Sequence, residues 1–314
     1  MATAIVATEY GGPEVLASRE VEVPAPGPGE VTVEVRAAGV NPFDYKQYSG
    51  VFGTDPAALP LRLGVEAAGV VTAVGEGAEG PAGPIRVGDE VALRGAGTYA
   101  TALNVAAQKV VPKPAGIGWE TAAGVLATGS TAVHALAATT VRTGDTVLIH
   151  GAAGSVGSLA AQLAVARGAR VIGTASPSRH ERLRAHGVEP VAYGPGLADR
   201  VRALAPDGVD AAIDTAGTDE AVDVSLELVA DRQRIATIVA FERAAADGFK
   251  ALGSGPGGDM GVEIRGRAWR ELFELLSAGK LEVAVVATYP LAEAAAAHEF
   301  VRSGHAGGKV VLLP

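Results

Sequence analysis

Seven consecutive residues, Gly151-Ala-Ala-Gly-Ser-Val-Gly157, constrain this chain more than any others. Ahead of them, Thr146-Val-Leu-Ile-His150 is short, apolar and β-branched, the composition of a strand buried on both faces of a parallel sheet. Behind them, residues 158–167 contain no Pro or Gly and are dense in Ala and Leu, so a helix is expected. Such a strand, turn and helix gathers unpaired backbone N–H groups and the positive end of the helix dipole at one point, where a pyrophosphate is held without a cationic side chain. Glycine is required there because a Cβ would keep the backbone away from the phosphates. The spacing is one residue off the commoner G-x-G-x-x-G, and a glycine loop taken alone also fits a turn with no ligand.

The flanking sequence narrows the choice. From Thr146, strand-like and helix-like runs alternate over residues 170–175, 179–186, 208–214, 221–229 and 234–240, which implies a parallel sheet with helices on both faces and a ligand at the strands' carboxyl ends. Residues 248–261 are glycine-rich and expected to be a mobile loop. Residues 269–278 read as an amphipathic helix closed by Gly279, 281–288 as β, 291–303 as helix and 309–313 as a final strand. Residues 1–120 differ in texture, being rich in Val, Gly and Pro, with alternating runs at 30–36 and 69–75 and a rigid turn at Pro24-Ala-Pro-Gly-Pro-Gly29. At Gly118 the texture shifts to helix formers and small residues, and a second domain is expected to begin there.

With 314 residues, 48% of them apolar, the chain can bury a core in each of two domains. A formal net charge of −9 argues against general binding to nucleic acid or anionic membrane. There is no cysteine, which excludes disulfides, thiolate nucleophiles, iron–sulfur clusters and cysteine-ligated zinc. Neither a signal sequence nor an apolar run long enough to span a bilayer is apparent, so a cytoplasmic protein is expected.

Six blocks in order resemble the zinc-free quinone oxidoreductase, or zeta-crystallin-like, branch of the medium-chain dehydrogenase/reductase superfamily. They are Gly39-Val-Asn-Pro-Phe-Asp44, Leu63-Gly-Val-Glu-Ala-Ala-Gly69, Val87-Gly-Asp-Glu-Val91, Gly129-Ser-Thr-Ala132, the 151–157 loop and Gly307-Gly-Lys-Val-Val311. The resemblance implies an α/β chain in which a doubly wound parallel Rossmann sheet (121–284) is inserted into a GroES-like, mainly-β catalytic domain (1–120, completed by 285–314), with the active site in the cleft between them. The zinc branch carries a Gly-His-Glu block where this chain has Gly64-Val-Glu66, and its first-sphere cysteine position falls near Asn41. The four-cysteine lobe is missing, and His180 and His186 share an Arg-rich helix as surface residues. No metal is therefore expected.

A fold of this kind selects its dinucleotide just past the second strand, where an acidic residue would bind the ribose hydroxyls. No acidic residue lies between Gly157 and Glu181. The strand end instead reads Thr174-Ala-Ser-Pro-Ser-Arg-His180, hydroxyls and a guanidinium suited to a 2′-phosphate, so NADPH is expected. By resemblance, Ser176, Arg179 and Tyr193 surround that phosphate, while Gly151, Ala152, Gly154, Ser155, Val156 and Gly157 hold the pyrophosphate. Thr128 and Thr131 lie toward the nicotinamide, Thr215, Ala216, Val239, Ala240 and Phe241 line the strand ends, and Gly308 and Lys309 are the family's terminal pair near the cofactor. The residue-level alternative leaves Arg179, Arg182 and Arg184 as a solvated helix face.

Lacking metal and thiol, such a protein catalyses hydride transfer by holding the nicotinamide C4 against an electron-poor acceptor and excluding water. Quinones and the β-carbon of an enone or enal fit that chemistry. Asn41, Asp44, Tyr45 and Lys46 are the candidate catalytic cluster: Asn41 would offer an amide N–H to the substrate oxygen, and Tyr45 or Lys46 a proton. The plainer reading is an Asn-Pro turn with Asp44 capping the helix that follows. Two further functions remain open, an enoyl-thioester reductase of a biosynthetic pathway and a weakly catalytic, NADPH-binding crystallin-like protein. The resemblance also implies a homodimer, with residues 262–265 as the candidate edge strand, and substrate walls formed by loops 49–60 and 241–258.

Overall fold

A computed structural model describes residues 1–314, which form two compact units, 1–127 with 283–314 and 128–282. The division falls inside the helix Trp119–Ala138, whose first residue adjoins the expected boundary.

In the first unit the central strand is Glu30–Val40, and its Val31, Val33 and Val35 point inward at every second position, as the alternating sequence demands. Around it lies a sheet in the order Val110–Pro112, Glu90–Arg94, Glu66–Val74, Glu30–Val40, Lys309–Leu313, Val285–Pro290, with Ala102–Ala106 also paired to Glu30–Val40. The strand Lys309–Leu313 runs antiparallel to Glu30–Val40 with Val310 opposite Val40 and Val311 opposite Gly39. That register sets Lys309 beside Asn41. Helix Ala294–Arg302 buries Ala294, Ala297 and His298 in the same unit.

The second unit is a six-stranded parallel sheet in the spatial order Glu189–Val191, Arg170–Thr174, Thr146–His150, Ala211–Asp214, Ile235–Thr237, Lys250–Ala251. In chain order these are the third, second, first, fourth, fifth and sixth strands, the doubly wound arrangement whose direction reverses beside Thr146–His150. Helix Ser155–Ala166 begins three residues earlier than expected, inside the glycine loop.

Several local expectations are corrected. The strand Glu189–Val191 and helix Leu197–Leu204 have weak signals: the strand is three residues long and contains Pro190, which is tolerated at a sheet edge. The fifth strand stops at Thr237 rather than 240, because the Thr237 hydroxyl accepts the N–H groups of Val239 and Ala240 and turns the backbone away. Residues 248–261 are not simply a loop, since they hold the sixth strand. Residues 262–265 are not an edge strand but part of helix Val262–Arg267; the sheet edges are Glu189–Val191 and Lys250–Ala251. Finally, helix Trp119–Ala138 is long and apolar enough to cross a bilayer by length and composition, contrary to expectation, but 72% of its apolar window is buried inside the protein, as in a core helix.

Gly157 packs helix against strand so closely that a Cβ would lie 2.2 Å from the Gly151 carbonyl oxygen, whereas a Cβ at Gly266, in helix Val262–Arg267, meets nothing within 4 Å. Gly157→Ala should lower unfolding stability by roughly 1–3 kcal/mol, and Gly266→Ala should raise it by about 0.4–1 kcal/mol. Denaturant titration of the two variants checks the opposite signs.

Candidate active site

In the first unit the chain leaves strand Glu30–Val40 at Asn41 and enters helix Pro42–Tyr48, with Pro42 at the first helical position, where its missing N–H costs nothing. The Asp44 carboxylate reaches back to accept the Asn41 backbone N–H at 2.8 Å, so the aspartate does cap the helix. The Asn41 side chain meets two charged groups: the Lys309 ammonium donates to its Oδ1 at 2.7 Å, and its Nδ2 donates to Glu66 Oε1 at 3.1 Å. Lys309 also donates to Glu66 Oε1 at 2.6 Å, and Glu66 Oε2 accepts the Ala127 backbone N–H at 2.7 Å. Both charged side chains are 1% exposed or less. Space for them comes from absent side chains, since a Cβ at Gly39 would lie 2.8 Å from both Glu66 Oε1 and Lys309 Cε, and one at Gly124 2.8 Å from Lys309 Cγ. A buried ion pair this well supplied with partners persists where a lone charge would not.

Asp44 belongs to a second buried network. Its Oδ2 also accepts the Tyr99 hydroxyl at 2.8 Å, while Oδ1 is buried with no hydrogen-bond partner. Burial lifts the Asp44 pKa to about 7, against the lowering effect of the Tyr99 and Asn41 hydrogen bonds and the Lys309 charge. Beyond Tyr99, His298 Nε2 lies 3.1 Å from the Tyr99 oxygen and His298 Nδ1 lies 2.7 Å from the Tyr48 oxygen. Burial drops the His298 pKa to about 4, and the nearby Arg302 guanidinium acts in the same direction.

The second unit carries the glycine loop. Gly151 adopts a φ of +71°, a backbone conformation disfavoured for other residues, and its N–H donates to the Thr174 hydroxyl at 3.1 Å. The Ala152 N–H donates to the Thr174 carbonyl at 3.0 Å, tying the loop to the second strand. Across the fourth and fifth strands the Asp214 carboxylate accepts the N–H groups of Ala216 and Gly217 at 2.9 and 2.8 Å and the Thr237 hydroxyl at 2.7 Å. Thr215 Oγ1 donates to the His150 carbonyl at 2.7 Å. Asp214 thus shapes the strand ends and has no oxygen left without a partner. Past the second strand, Ser176 Oγ lies 3.1 Å from Ser178 Oγ, Arg179 closes a short 3-10 turn and Tyr193 is exposed. His180 has its ring at the Ala175 carbonyl, and His186 pairs with Glu282 at 3.3 Å.

Residues 27–115 match the alcohol dehydrogenase GroES-like domain family, and residues 186–312 match the zinc-binding dehydrogenase family. Over its full length and theirs, the chain is 36% identical to a quinone oxidoreductase of Pseudomonas aeruginosa. It belongs to the quinone oxidoreductase family. Among solved structures, this family member is similar to the Escherichia coli quinone oxidoreductase complexed with NADPH (TM-score 0.86, 30% identity, 99% of this chain and 100% of that one). It is also similar to a mycobacterial protein complexed with NADPH (TM-score 0.84, 33% identity, all of both chains).

The zinc in the name of the second domain family does not fit the residues of this oxidoreductase. No group of three His, Asp or Glu side chains capable of holding an ion is assembled. At the corner where the resemblance places a metal ligand, Asn41 and Glu66 already share an ammonium. A dinucleotide does fit: the turn at Gly151, the helix start at Ser155 and the hydroxyl-rich strand end are where a phosphate-bearing ligand needs them.

Of the expected catalytic residues the structure brings Asn41 and Asp44 together, whereas Tyr45 and Lys46 are half-buried and share no hydrogen bond with them; the Arg302 guanidinium sits over the Tyr45 ring at 6.0 Å. Thr128 is buried and Thr131 half-buried on helix Trp119–Ala138. Gly308 packs against Val286 and the Ala284 carbonyl. Lys309, expected near the cofactor, is enclosed with Asn41 and Glu66, because its strand register aims it there. Sequence reasoning missed Glu66, Tyr99, His298 and Tyr48 as site residues. Glu66 stood in view as the survivor of the Gly-His-Glu block, and the other three had no spacing signal.

Removing one member of the Lys309–Glu66 pair strands its partner's charge, so Lys309→Met and Glu66→Gln should each cost roughly 3–5 kcal/mol of unfolding stability, with the double variant recovering most of it. A double-variant cycle by denaturant unfolding gives the answer.

Folded Asp44 titrates above its ordinary 3.8, so its contribution to stability is fully present below that pH and is lost as pH rises through about 7. Folded His298 titrates below its ordinary 6.5, so its contribution is present above 6.5 and lost as pH falls through about 4. From pH 4 to 7, Asp44→Asn should therefore gain on the unaltered protein by about 1.4 kcal/mol per pH unit. Parallel stability–pH curves for the two proteins would refute this.

Proposed function

We propose that the protein is an NADPH-dependent reductase that delivers a hydride to quinones or to the β-carbon of α,β-unsaturated carbonyls without a metal. The observation that carries the reading is the end of the second strand. It offers Ser176, Ser178 and Arg179 and no carboxylate, beside a glycine loop fixed to Thr174. An acidic residue there would repel a 2′-phosphate; a guanidinium and hydroxyls attract it. The NADPH complexes of two similar structures support the same choice.

In this reading the unit 128–282 binds the dinucleotide. The first-turn N–H groups of helix Ser155–Ala166 and the loop glycines receive the pyrophosphate. Ser176, Arg179 and Tyr193 receive the 2′-phosphate, and the turns held by Asp214 and Thr237 present the backbone of residues 215–216 and 239–241 to the ligand. Bound there, the cofactor supplies a hydride. In the other unit Lys309 fixes the Asn41 Oδ1, which settles which way the amide faces. One Nδ2 hydrogen goes to Glu66, and the other, in a long 3.4 Å contact with the Gly39 carbonyl, is the one offered to the acceptor's oxygen as negative charge develops on it. Tyr45 or Lys46 supplies the proton.

Steady-state oxidation of NADPH against quinones, enones and acyl thioesters tests the reading, with turnover expected on the first two and unchanged by chelator. Arg179→Ala should raise KM for NADPH about tenfold, one charge-assisted hydrogen bond, and leave KM for NADH nearly unmoved. Asn41→Ala should lower kcat without changing NADPH affinity. Equal effects on both dinucleotides, or thioesters as the only substrates, would overturn the proposal.

A further inference from the structure

The chain Asp44, Tyr99, His298, Tyr48 has no task in the reaction just described, yet all four side chains are buried. Proton counting fixes its direction. A tyrosine hydroxyl has one hydrogen, and that of Tyr99 goes to Asp44 Oδ2. The Tyr99 oxygen must then accept from His298, so Nε2 carries the imidazole hydrogen. A neutral ring with its hydrogen on Nε2 has a bare Nδ1, which accepts from the Tyr48 hydroxyl. Every donor therefore points toward Asp44, and the same carboxylate oxygen accepts the Asn41 N–H. A protonated His298 would donate from Nδ1 and reverse the first link; a protonated Asp44 would weaken the acceptor on which the rest converge.

We propose that Tyr99, His298 and Tyr48 are positioning residues: by directing their hydrogen bonds to Asp44 they keep its carboxylate ionised and so hold Asn41 in the orientation the reaction uses. The inference rests on the catalytic reading of Asn41. Three separate segments converge on the corner, the turn at Tyr99, helix Ala294–Arg302 through His298, and helix Pro42–Tyr48 through its own last residue. The charged and titratable groups facing Asp44 are Lys309, Glu66 and Tyr99; those facing His298 are Arg302, Tyr48 and Tyr99; those facing Tyr48 are Arg302, Asp44, Glu14 and Tyr45. Of the carboxylates in this set, only Asp44 has an oxygen buried without a partner, and its ionised form leans on the Tyr99 and Asn41 donors.

The test combines NMR of the protein without substrate and kinetics with NADPH and a quinone. In the unaltered protein His298 should be the Nε2–H tautomer, and the Asn41 backbone amide shift should titrate together with the Asp44 carboxyl carbon near pH 7. Tyr99→Phe should move that shared titration, and the acid limb of kcat, upward by roughly one pH unit, the tenfold change in proton affinity that one charge-assisted hydrogen bond confers. The dissociation constant for NADPH should stay put. An Nδ1–H tautomer, an Asn41 amide indifferent to Asp44, or a variant that is less heat-stable with an unmoved titration would overturn the proposal. Should Tyr99→Phe not fold, the tautomer and the Asn41 titration of the unaltered protein decide. If the unaltered protein oxidises no NADPH, the functional reading fails while the NMR outcome still judges the network.

Discussion

Two oppositely charged side chains with almost no contact with water, Lys309 and Glu66, meet at 2.6 Å, and the first unit is arranged so that they can. An isolated ammonium or carboxylate in such surroundings costs several kcal/mol or more. The strand register that brings Lys309 alongside Asn41, the two glycines that vacate space for its stem, and the Ala127 N–H on the far oxygen of Glu66 are all conditions for keeping the pair. Asn41 joins through both ends of its amide. Its orientation is thus set by electrostatics, with the oxygen toward the cation and the nitrogen toward the carboxylate.

The same corner has a second acidic group, Asp44, beside Glu66. Asp44 is held by backbone and phenol donors, and burial raises its proton affinity against their lowering effect. The Lys309 ammonium on its flexible stem organises that corner through its ion pair with Glu66 and its hydrogen bond to Asn41. The second unit shows a comparable economy of charge. Asp214 holds two N–H groups and a threonine at the strand ends, so that edge is built from backbone groups held in place from behind.

Much of the architecture was legible because it is written in local periodicity. The strand at 146–150, the helix after the glycine loop and the alternation that follows are properties of neighbouring residues, and the sheet order obeys them. What escaped was short or long-range. Glu189-Pro-Val191 is too brief to declare itself, and the fifth strand ends where a threonine side chain captures two N–H groups, a choice between equally apolar continuations. Helix Val262–Arg267 replaced an expected strand because six residues carry too little pattern to separate the two periods. The proximity of Asn41 and Asp44 was legible because they share a block. Tyr99, His298 and Tyr48 were not found, because they lie 55 to 250 residues from their hydrogen-bond partners, and the Lys309 contacts with Asn41 and Glu66 span 268 and 243.

The separation of 243 positions between Glu66 and Lys309 has a consequence for how the molecule is made. As the polypeptide emerges, the carboxylate and the asparagine appear early, and their cation arrives only after the entire sheet of the second unit has been synthesised. Until then the nascent β-rich half carries an acid it cannot bury and a gap in its sheet where Lys309–Leu313 belongs. Its exposed edge strands invite pairing with other chains during that interval, so the step that seals the corner also ends the period of greatest vulnerability to aggregation.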